Sequence, residues 1–255
     1  MTYTQFIDGV FKLTALDLAS YKEAQMKRRI DTNIKKHNCK DYADYLSLLS
    51  RDKAALNKFL SYVTINVSEF FRNPTQWQTL EKSILPEMIQ SGKTLTVWSA
   101  ACSTGDEPYS LAMMLSAHLP TNRFKIIATD LDVEILAKAR MGVYPEKQIL
   151  NLPHGYRDKY FKKNGNLYHI SQEIKQCIEF KQHNLLKDAY PKNVDIIVCR
   201  NVLIYFTEEA KDSIYHKFSQ SLAPNGVLFV GSTEQIITPQ QYRFDPCKIF
   251  FYKKK

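Results

Sequence analysis

From residue 95 onward, short β-branched and aromatic runs alternate with helical ones, and this alternation restricts the fold more than any other feature. Residues 95–99 precede a helical run at 108–119, residues 125–129 precede 133–140, and residues 194–199 precede 208–222. Strands alternating with helices predict a parallel sheet with helices on both faces. Residues 226–231 and 248–253 are also strand-like, and the second is expected to close the sheet as an antiparallel pair. The N-terminal part reads differently. Helices are predicted at 2–13, 17–37, 41–50 and 52–63, several opened by an Asp that can cap free backbone N–H groups. Within the alternating part, residues 160–163 and 166–171 read as a hairpin joined across Asn164 and Gly165. The expected organisation is a helical domain at 1–73, a linker helix at 74–90 and an α/β domain at 91–255. The α/β domain carries a small antiparallel β-insert at about 145–177.

The balance of 35 Lys and Arg against 26 Asp and Glu gives a net charge of +9, which points to an acidic partner without choosing among nucleic acid, membrane and protein. Five scattered cysteines with no C-x-x-C pair argue against a disulfide framework or a zinc knuckle, and read as free thiols in a reducing cytosol. The start, MTYTQF, shows no basic region leading into an apolar one, so no signal peptide is expected. No apolar run approaches the roughly 18 residues of a membrane span.

The stretch 94–110, TLTVWSAACSTGDEPYS, carries the strongest chemical signal. A strand ends in small residues and Gly105, and a helix opens with Asp106, Glu107 and Pro108 in its first turn. In a doubly wound fold this first strand-to-helix turn faces the ligand crevice. A pyrophosphate there would be repelled by the two acids, and G-x-G-x-x-G is absent. A ligand bearing an ammonium and a sulfonium would be attracted, which favours S-adenosylmethionine over a dinucleotide. The acids also fit a helix N-terminus stabilised through its dipole, so this turn alone leaves both readings open. Asp130 follows 25 residues after Gly105, at the tip of the second strand, where such folds hold ribose hydroxyls. An acid after a strand is commonly a helix cap, a role that suits Asp132 better. Taken with the first turn, Asp130 reads as a ligand contact.

Two further stretches are polar where a connection could be bland. DIIVCRNVLIYF at 195–206 ends a buried strand at Arg200 and Asn201, on the same carboxyl edge as Asp130. Arg200 also suits a structural ion pair, and Tyr205 a packed aromatic. TINVSEFFR at 64–72 alternates Asn66, Ser68 and Arg72 with apolar residues, with Phe70 and Phe71 as anchors. Alone it reads as an interdomain connection.

In this order and spacing, N-x-S-x-F-F-R, S-x-A-C-S-T-G-D-E-P-Y-S, A-T-D-L-D, H-N-L-L and C-R-N-V-L-I-Y-F resemble the chemotaxis receptor methyltransferases, the CheR family. The resemblance covers essentially the whole chain. It implies a Rossmann-like S-adenosylmethionine methyltransferase domain behind a helical domain that recognises the receptor. Cofactor contacts would fall on Asn66, Ser68, Arg72, Glu107, Asp130, Asn184, Leu185, Arg200 and Asn201, with Arg72 and Tyr205 beside the transferred methyl group. Ser68 stands where Thr is common and Asp106 where Glu is common, and both keep the chemical group. The implied reaction converts glutamate side chains on the cytoplasmic domains of chemotaxis receptors into methyl esters, releasing S-adenosylhomocysteine. A cytoplasmic location follows, without membrane insertion.

Such a substrate, with a pKa of about 4.3, is already anionic at pH 7 and needs no general base. None is evident near Tyr205, and the six histidines lack metal-ligand spacing, so no metal is expected. Residues 18–40 hold seven basic side chains and two acids, a local net of +5. At roughly 100° per residue, Lys22, Arg28, Arg29, Lys35 and Lys36 fall on one side and Met26, Ile30 and Ile34 on another. A charged face is usually only solvated, but with the resemblance this one is expected to dock on an acidic receptor helix. A nucleic-acid methyltransferase is the enzymatic alternative. The Asn/Asp-Pro-Pro-aromatic element common in base-amino methylation is replaced here by Arg200-Asn201-Val202-Leu203, so nucleic acid is not an expected partner. A non-catalytic regulator would be expected to lack Arg72, Tyr205 or Asp130, and all three are present.

Overall fold

The computed structural model describes residues 1–90 and 92–255; residue 91, at which the α/β domain was expected to begin, lies outside the described residues. Contacts divide the chain into two compact units. One comprises Met1–Asn66 with Val202–Ile214, the other Val67–Asn201 with Tyr215–Lys255. The expected division near residue 73 thus falls within the second unit, and residues 202–214 count with the helical unit.

The helical unit contains α1 (Tyr3–Thr14), α2 (Glu23–Lys36), α3 (Tyr42–Arg51) and α4 (Lys53–Val63). Asp41 and Asp52 cap α3 and α4, each accepting two backbone N–H bonds. Phe6, Tyr45 and Phe59 are fully buried at its centre, with ring centroids 5.8–6.2 Å apart. One expected helix is broken. Asp17 caps a short 3-10 turn at Leu18–Ser20, Tyr21 is extended, and α2 starts only at Glu23. The reason lies in residues 202–214: Tyr21 bridges Phe206 in antiparallel fashion, and a residue committed to that pairing cannot also be helical.

The second unit begins its regular structure with α5 (Pro74–Thr79), a π-helical turn at Leu80–Ile84 and α6 (Leu85–Gln90). Then follow β1 (Leu95–Ala100), α7 (Asp106–Ser116), β2 (Phe124–Asp130) and α8 (Val133–Met141). The insert comprises β3 (Val143–Pro145), α9 (Glu146–Ile149), α10 (Tyr156–Tyr160), β4 (Phe161–Asn164), β5 (Leu167–Ile170) and α11 (Gln172–Gln176). The chain returns to the main sheet with β6 (Ile178–Gln182) and β7 (Val194–Cys199). It ends with α12 (Glu208–Ser221), which crosses the division between units, then β8 (Leu222–Val230), β9 (Phe244–Lys248) and β10 (Phe251–Lys254).

The main sheet has the order β6-β2-β1-β7-β8-β10-β9. Its first five strands are parallel, and β10 pairs antiparallel with both β8 and β9. The two sides of the sheet grow outward from β1, which places the topological switch point, and hence the ligand crevice, at the carboxyl ends of β1 and its neighbours. β7 is buried along its whole length, as expected of a central parallel strand.

The insert is a three-stranded antiparallel sheet of order β3-β5-β4. Asn164 pairs with Leu167, so the turn residues are Gly165 and Asn166, one position later than expected. Gly165 takes the positive φ of 59°, as the first central residue of a type II′ turn. Inward-facing Tyr168 and Ile170 set this register, because a one-residue slip would turn both out to solvent.

Candidate active site

The turn after β1 is built from backbone conformations that ordinary residues rarely adopt. Ala101 (φ 65°), Ser103 (φ 49°) and Gly105 (φ 92°) are all left-handed, and left-handed non-glycine residues cluster where function demands them. A Cβ at Gly105 would sit 3.1 Å from Ala139, Tyr109 and Tyr144, so both conformation and space require glycine. Beyond the turn, the two acids of α7 part company. Asp106 is fully buried, and its carboxylate accepts from the Thr104 hydroxyl (2.5 Å) and the Gln148 amide (2.8 Å), with the Ser68 hydroxyl also acting on it. It ties the turn to the insert. Glu107 is differently placed. It accepts from the Ser99 hydroxyl at 2.7 Å and stands 3.9 Å from the Arg200 guanidinium. Burial nevertheless pushes its pKa up to about 7, against the opposing pull of Arg200 and Ser99.

Asp130 ends β2 with its carboxylate held from two sides, by the N–H of Ser103 (2.8 Å) and that of Asp132 (3.0 Å). Burial again prevails over these bonds and raises its pKa to about 6. Asp132 caps α8, accepting from Glu134 and Ile135. Next along the same edge, Asn184 follows β6 and accepts from the Leu186 N–H at 2.9 Å in a local turn. Leu185 is buried, and its carbonyl accepts from the Tyr190 hydroxyl at 2.7 Å.

Arg200, at the end of β7, is buried and occupied with protein groups. It donates to the Arg72 carbonyl (2.8 Å), Asn73 Oδ1 (3.0 Å) and Gln76 Oε1 (2.7 Å), and its guanidinium lies 4.7 Å from the Phe229 ring. Its side chain thus has the protein partners that the ion-pair reading predicts, Glu107 among them. Arg200 supports Glu107 and the 72–76 segment from behind. That support leaves Arg72 distinctive. Its carbonyl is fixed by Arg200 and by the Trp77 indole N–H at 3.0 Å, while its guanidinium has no hydrogen-bond partner among the described residues. Phe70 and Phe71 are buried as expected, and the Phe71 N–H donates to the Ser110 hydroxyl at 3.0 Å.

Asn201 is left-handed (φ 60°), and its N–H donates to Glu234 at 2.5 Å. The same Glu234 oxygen accepts from the Gly231 N–H at 2.9 Å, and a Cβ at Gly231 would lie 2.4 Å from it. Glu234 thus fixes the Asn201 turn, yet nothing in the loop sequence GSTEQ singles it out. Ser99, Gln76 and Gln148 were missed in the same way, since each looks generic until its partner is seen.

In the helical unit, the Asn66 amide donates to the Thr64 hydroxyl at 3.2 Å. Tyr205 closes a 3-10 turn (Leu203–Tyr205) with its carbonyl accepting from the Lys22 N–H at 2.9 Å. Of the five expected docking residues, Arg28, Lys35 and Lys36 are exposed and Lys22 is half-buried. Arg29 departs from the expectation: its guanidinium stacks 4.4 Å from the Tyr62 ring and donates to the Tyr62 carbonyl. It packs α2 against α4 and is not part of a free docking face.

Residues 66–251 match the CheR methyltransferase SAM-binding domain, and residues 1–64 match the CheR methyltransferase all-alpha domain. The chain belongs to the CheR methyltransferase family. It is 45% identical to the chemotaxis protein methyltransferase of Listeria monocytogenes, over 99% of this chain and 97% of the relative. The protein of the same name from Escherichia coli strain K12 is 33% identical over 88% of this chain and 81% of its own length. That from Borreliella burgdorferi is 30% identical over 91% and 87%.

As a CheR-family methyltransferase the chain uses S-adenosylmethionine, and the edge residues suit that group. A carboxylate beside a turn of small residues fits ribose hydroxyls, and a second one near neutrality fits a cationic amino acid moiety. The Ser103 hydroxyl is buried without a hydrogen-bond partner among the described residues, leaving a polar atom at this turn for a ligand to satisfy.

Proposed function

We propose that the protein methylates glutamate side chains of chemotaxis receptors in the cytoplasm. The observation that carries this reading is the pair of carboxylates, part-buried Glu107 and buried Asp130, at the carboxyl edge of a sheet matched to the CheR family. They suit a cationic nucleoside and would repel a phosphate-bearing one. Asp130, Glu107, Asn66, Ser68, Asn184, Leu185 and Asn201 are the proposed cofactor contacts, with Arg200 acting through Glu107 and the 72–76 segment. In domain terms, the helical part recognises the receptor and the sheet-bearing part holds the cofactor.

Bound S-adenosylmethionine supplies a methyl group activated by its sulfonium. The chain's own task is then positional. A glutamate is ionised at neutral pH, so no side chain has to take a proton from it. Opposite charges on carboxylate and sulfonium vanish in the displacement, so a tight bidentate clamp on the substrate would stabilise the ground state and slow attack. Arg72 is therefore assigned to the cofactor or to the non-attacking oxygen. Tyr205, a neutral donor, orients the attacking carboxylate. Held reactants of this kind gain roughly 7–11 kcal/mol over free ones.

Incubating receptor-bearing membranes with methyl-labelled cofactor tests the reaction. Label is expected on receptor protein and should be lost as methanol in mild base. Base-stable label, or label in added nucleic acid, would refute glutamate esterification. Tyr205→Phe is expected to lower kcat about tenfold or more with cofactor Kd unchanged, and wild-type turnover would reduce Tyr205 to a packing residue.

Receptor docking is assigned to the exposed basic residues of the second helix. Arg28→Glu with Lys35→Glu should raise KM for receptor and leave cofactor binding alone. Wild-type KM should rise with added salt, because screening limits exposed charges to a reach of about 8 Å at physiological ionic strength. A KM indifferent to salt would rule out charge-led docking. Arg29 is left out of this test because reversing it would disrupt the packing on Tyr62.

A further inference from the structure

The break before α2 has a use that neither the family match nor the proposed chemistry assigns. Residues 20–22 lie antiparallel to residues 205–207. The Lys22 N–H donates to the Tyr205 carbonyl at 2.9 Å, and the Thr207 N–H donates to the Ser20 carbonyl at 2.9 Å. Between these bonds Tyr21 bridges Phe206, with ring centroids 4.7 Å apart, and Phe206 is buried. Leu18 and Leu203, one at each entrance to this short ladder, are buried as well. All of these contacts lie inside the helical unit.

The Tyr205 hydroxyl has no hydrogen-bond partner among the described residues, so the side chain is aimed by its backbone. On its own side that backbone is held in the 3-10 turn, where the Tyr205 N–H donates to the Val202 carbonyl at 3.3 Å and the Phe206 N–H to the Leu203 carbonyl at 3.1 Å. The 20–22 strip adds a restraint from across the ladder, and it runs directly into α2, whose outer face bears Arg28 and Lys35.

We infer that the 20–22 strip is a positioning element for Tyr205, which makes Tyr21 a residue of the methyl-transfer reaction. The inference rests on the reading of Tyr205 as the group that orients the substrate carboxylate. A phenol oxygen stands about 6.5 Å from its Cα, so a backbone tilt of about 10° displaces it by about 1 Å, a misplacement that can cost about a hundredfold in rate. The strip also makes the helix assigned to receptor docking and the ring assigned to catalysis parts of one rigid piece. Substrate docked on α2 is thereby set in register with the hydroxyl that orients it.

Steady-state kinetics on full-length Tyr21→Ala tests the strip. The expected result is a kcat lowered about 10- to 100-fold, with cofactor Kd within twofold of wild type and receptor KM within threefold. Tyr21→Phe, which keeps the ring contact with Phe206, should lose less kcat than Tyr21→Ala. In the Tyr205→Phe background, Tyr21→Ala should cost less than a further twofold, because the hydroxyl it aims is already gone. Should Tyr21→Ala prove too unstable, Tyr21→Leu keeps the bulk without the aromatic contact and is expected to show the same kcat loss. Losses that multiply in the double variant would overturn the inference, since Tyr21 would then act independently of Tyr205. Lowered kcat in Tyr205→Phe with wild-type kcat in Tyr21→Ala would overturn the strip's role alone. Wild-type kcat in Tyr205→Phe would remove the role of Tyr205, and the strip's with it.

Discussion

Lowering the pH from 7.5 to 5 is expected to weaken S-adenosylmethionine binding by about two to three orders of magnitude. In the free protein, burial raises Glu107 to about 7 and Asp130 to about 6. A cationic ligand favours the ionised carboxylates, so affinity falls about tenfold for each unit by which the pH drops below each free-state value. Two units for Glu107 and one for Asp130 set the upper end of the range. Near pH 7 the same linkage releases about half a proton on binding as Glu107 ionises fully. Calorimetry in buffers of differing ionisation enthalpy measures that release, and a pH-independent Kd with no proton release would dissociate both acids from the cofactor. Stability should move the other way. A carboxyl whose folded pKa lies above its unfolded value stabilises the fold when protonated, and that contribution disappears as pH rises through the folded pKa. For each group it amounts to about 3 kcal/mol when complete. These two residues should therefore make the cofactor-free protein melt higher at pH 5.5 than at pH 7.5, and the bound cofactor should narrow that difference.

Asp130→Ala is expected to cost about 1.5–3 kcal/mol of cofactor binding, roughly a 10- to 150-fold loss, as a hydrogen bond with one charged partner is removed. The structure adds a second cost. The N–H groups of Ser103 and Asp132 both lose their acceptor, and an unsatisfied buried donor costs about 1–3 kcal/mol. Affinity must accordingly be measured well below the variant's own melting temperature. A lowered Tm with unchanged Kd would leave Asp130 as a turn-holding residue and take it out of the cofactor site.

Much of this was legible because it is local. The capping Asp residues, the strands flanking each helix, the left-handed Gly105 and the acid at the tip of β2 are all written within a few residues of where they act. Long-range partnerships were not. Arg200 reads equally as a ligand contact or an ion pair until Arg72, Asn73 and Gln76 are seen around it. Asp106 and Glu107 are adjacent and chemically alike, and only helix geometry sends one into the protein and the other toward Arg200. β6 pairs with β2 at the sheet edge, and its sequence, IEFKQ, is too polar to announce a strand. The break at Tyr21 was invisible for a stronger reason, since its cause lies at Phe206.

That separation bears on how the protein is made. The helical unit needs Val202–Ile214, and the 135 residues Val67–Asn201 belong to the other unit and are synthesised in between. At about 5–20 residues per second, a ribosome takes roughly 7–27 s to cross that interval. Throughout it the nascent helices lack the segment that packs on Tyr21, leaving apolar surface open to chaperones and proteases. The last piece to reach the helical unit is the one that carries Tyr205, so a chain released early would own its N-terminal helices and have no orienting hydroxyl.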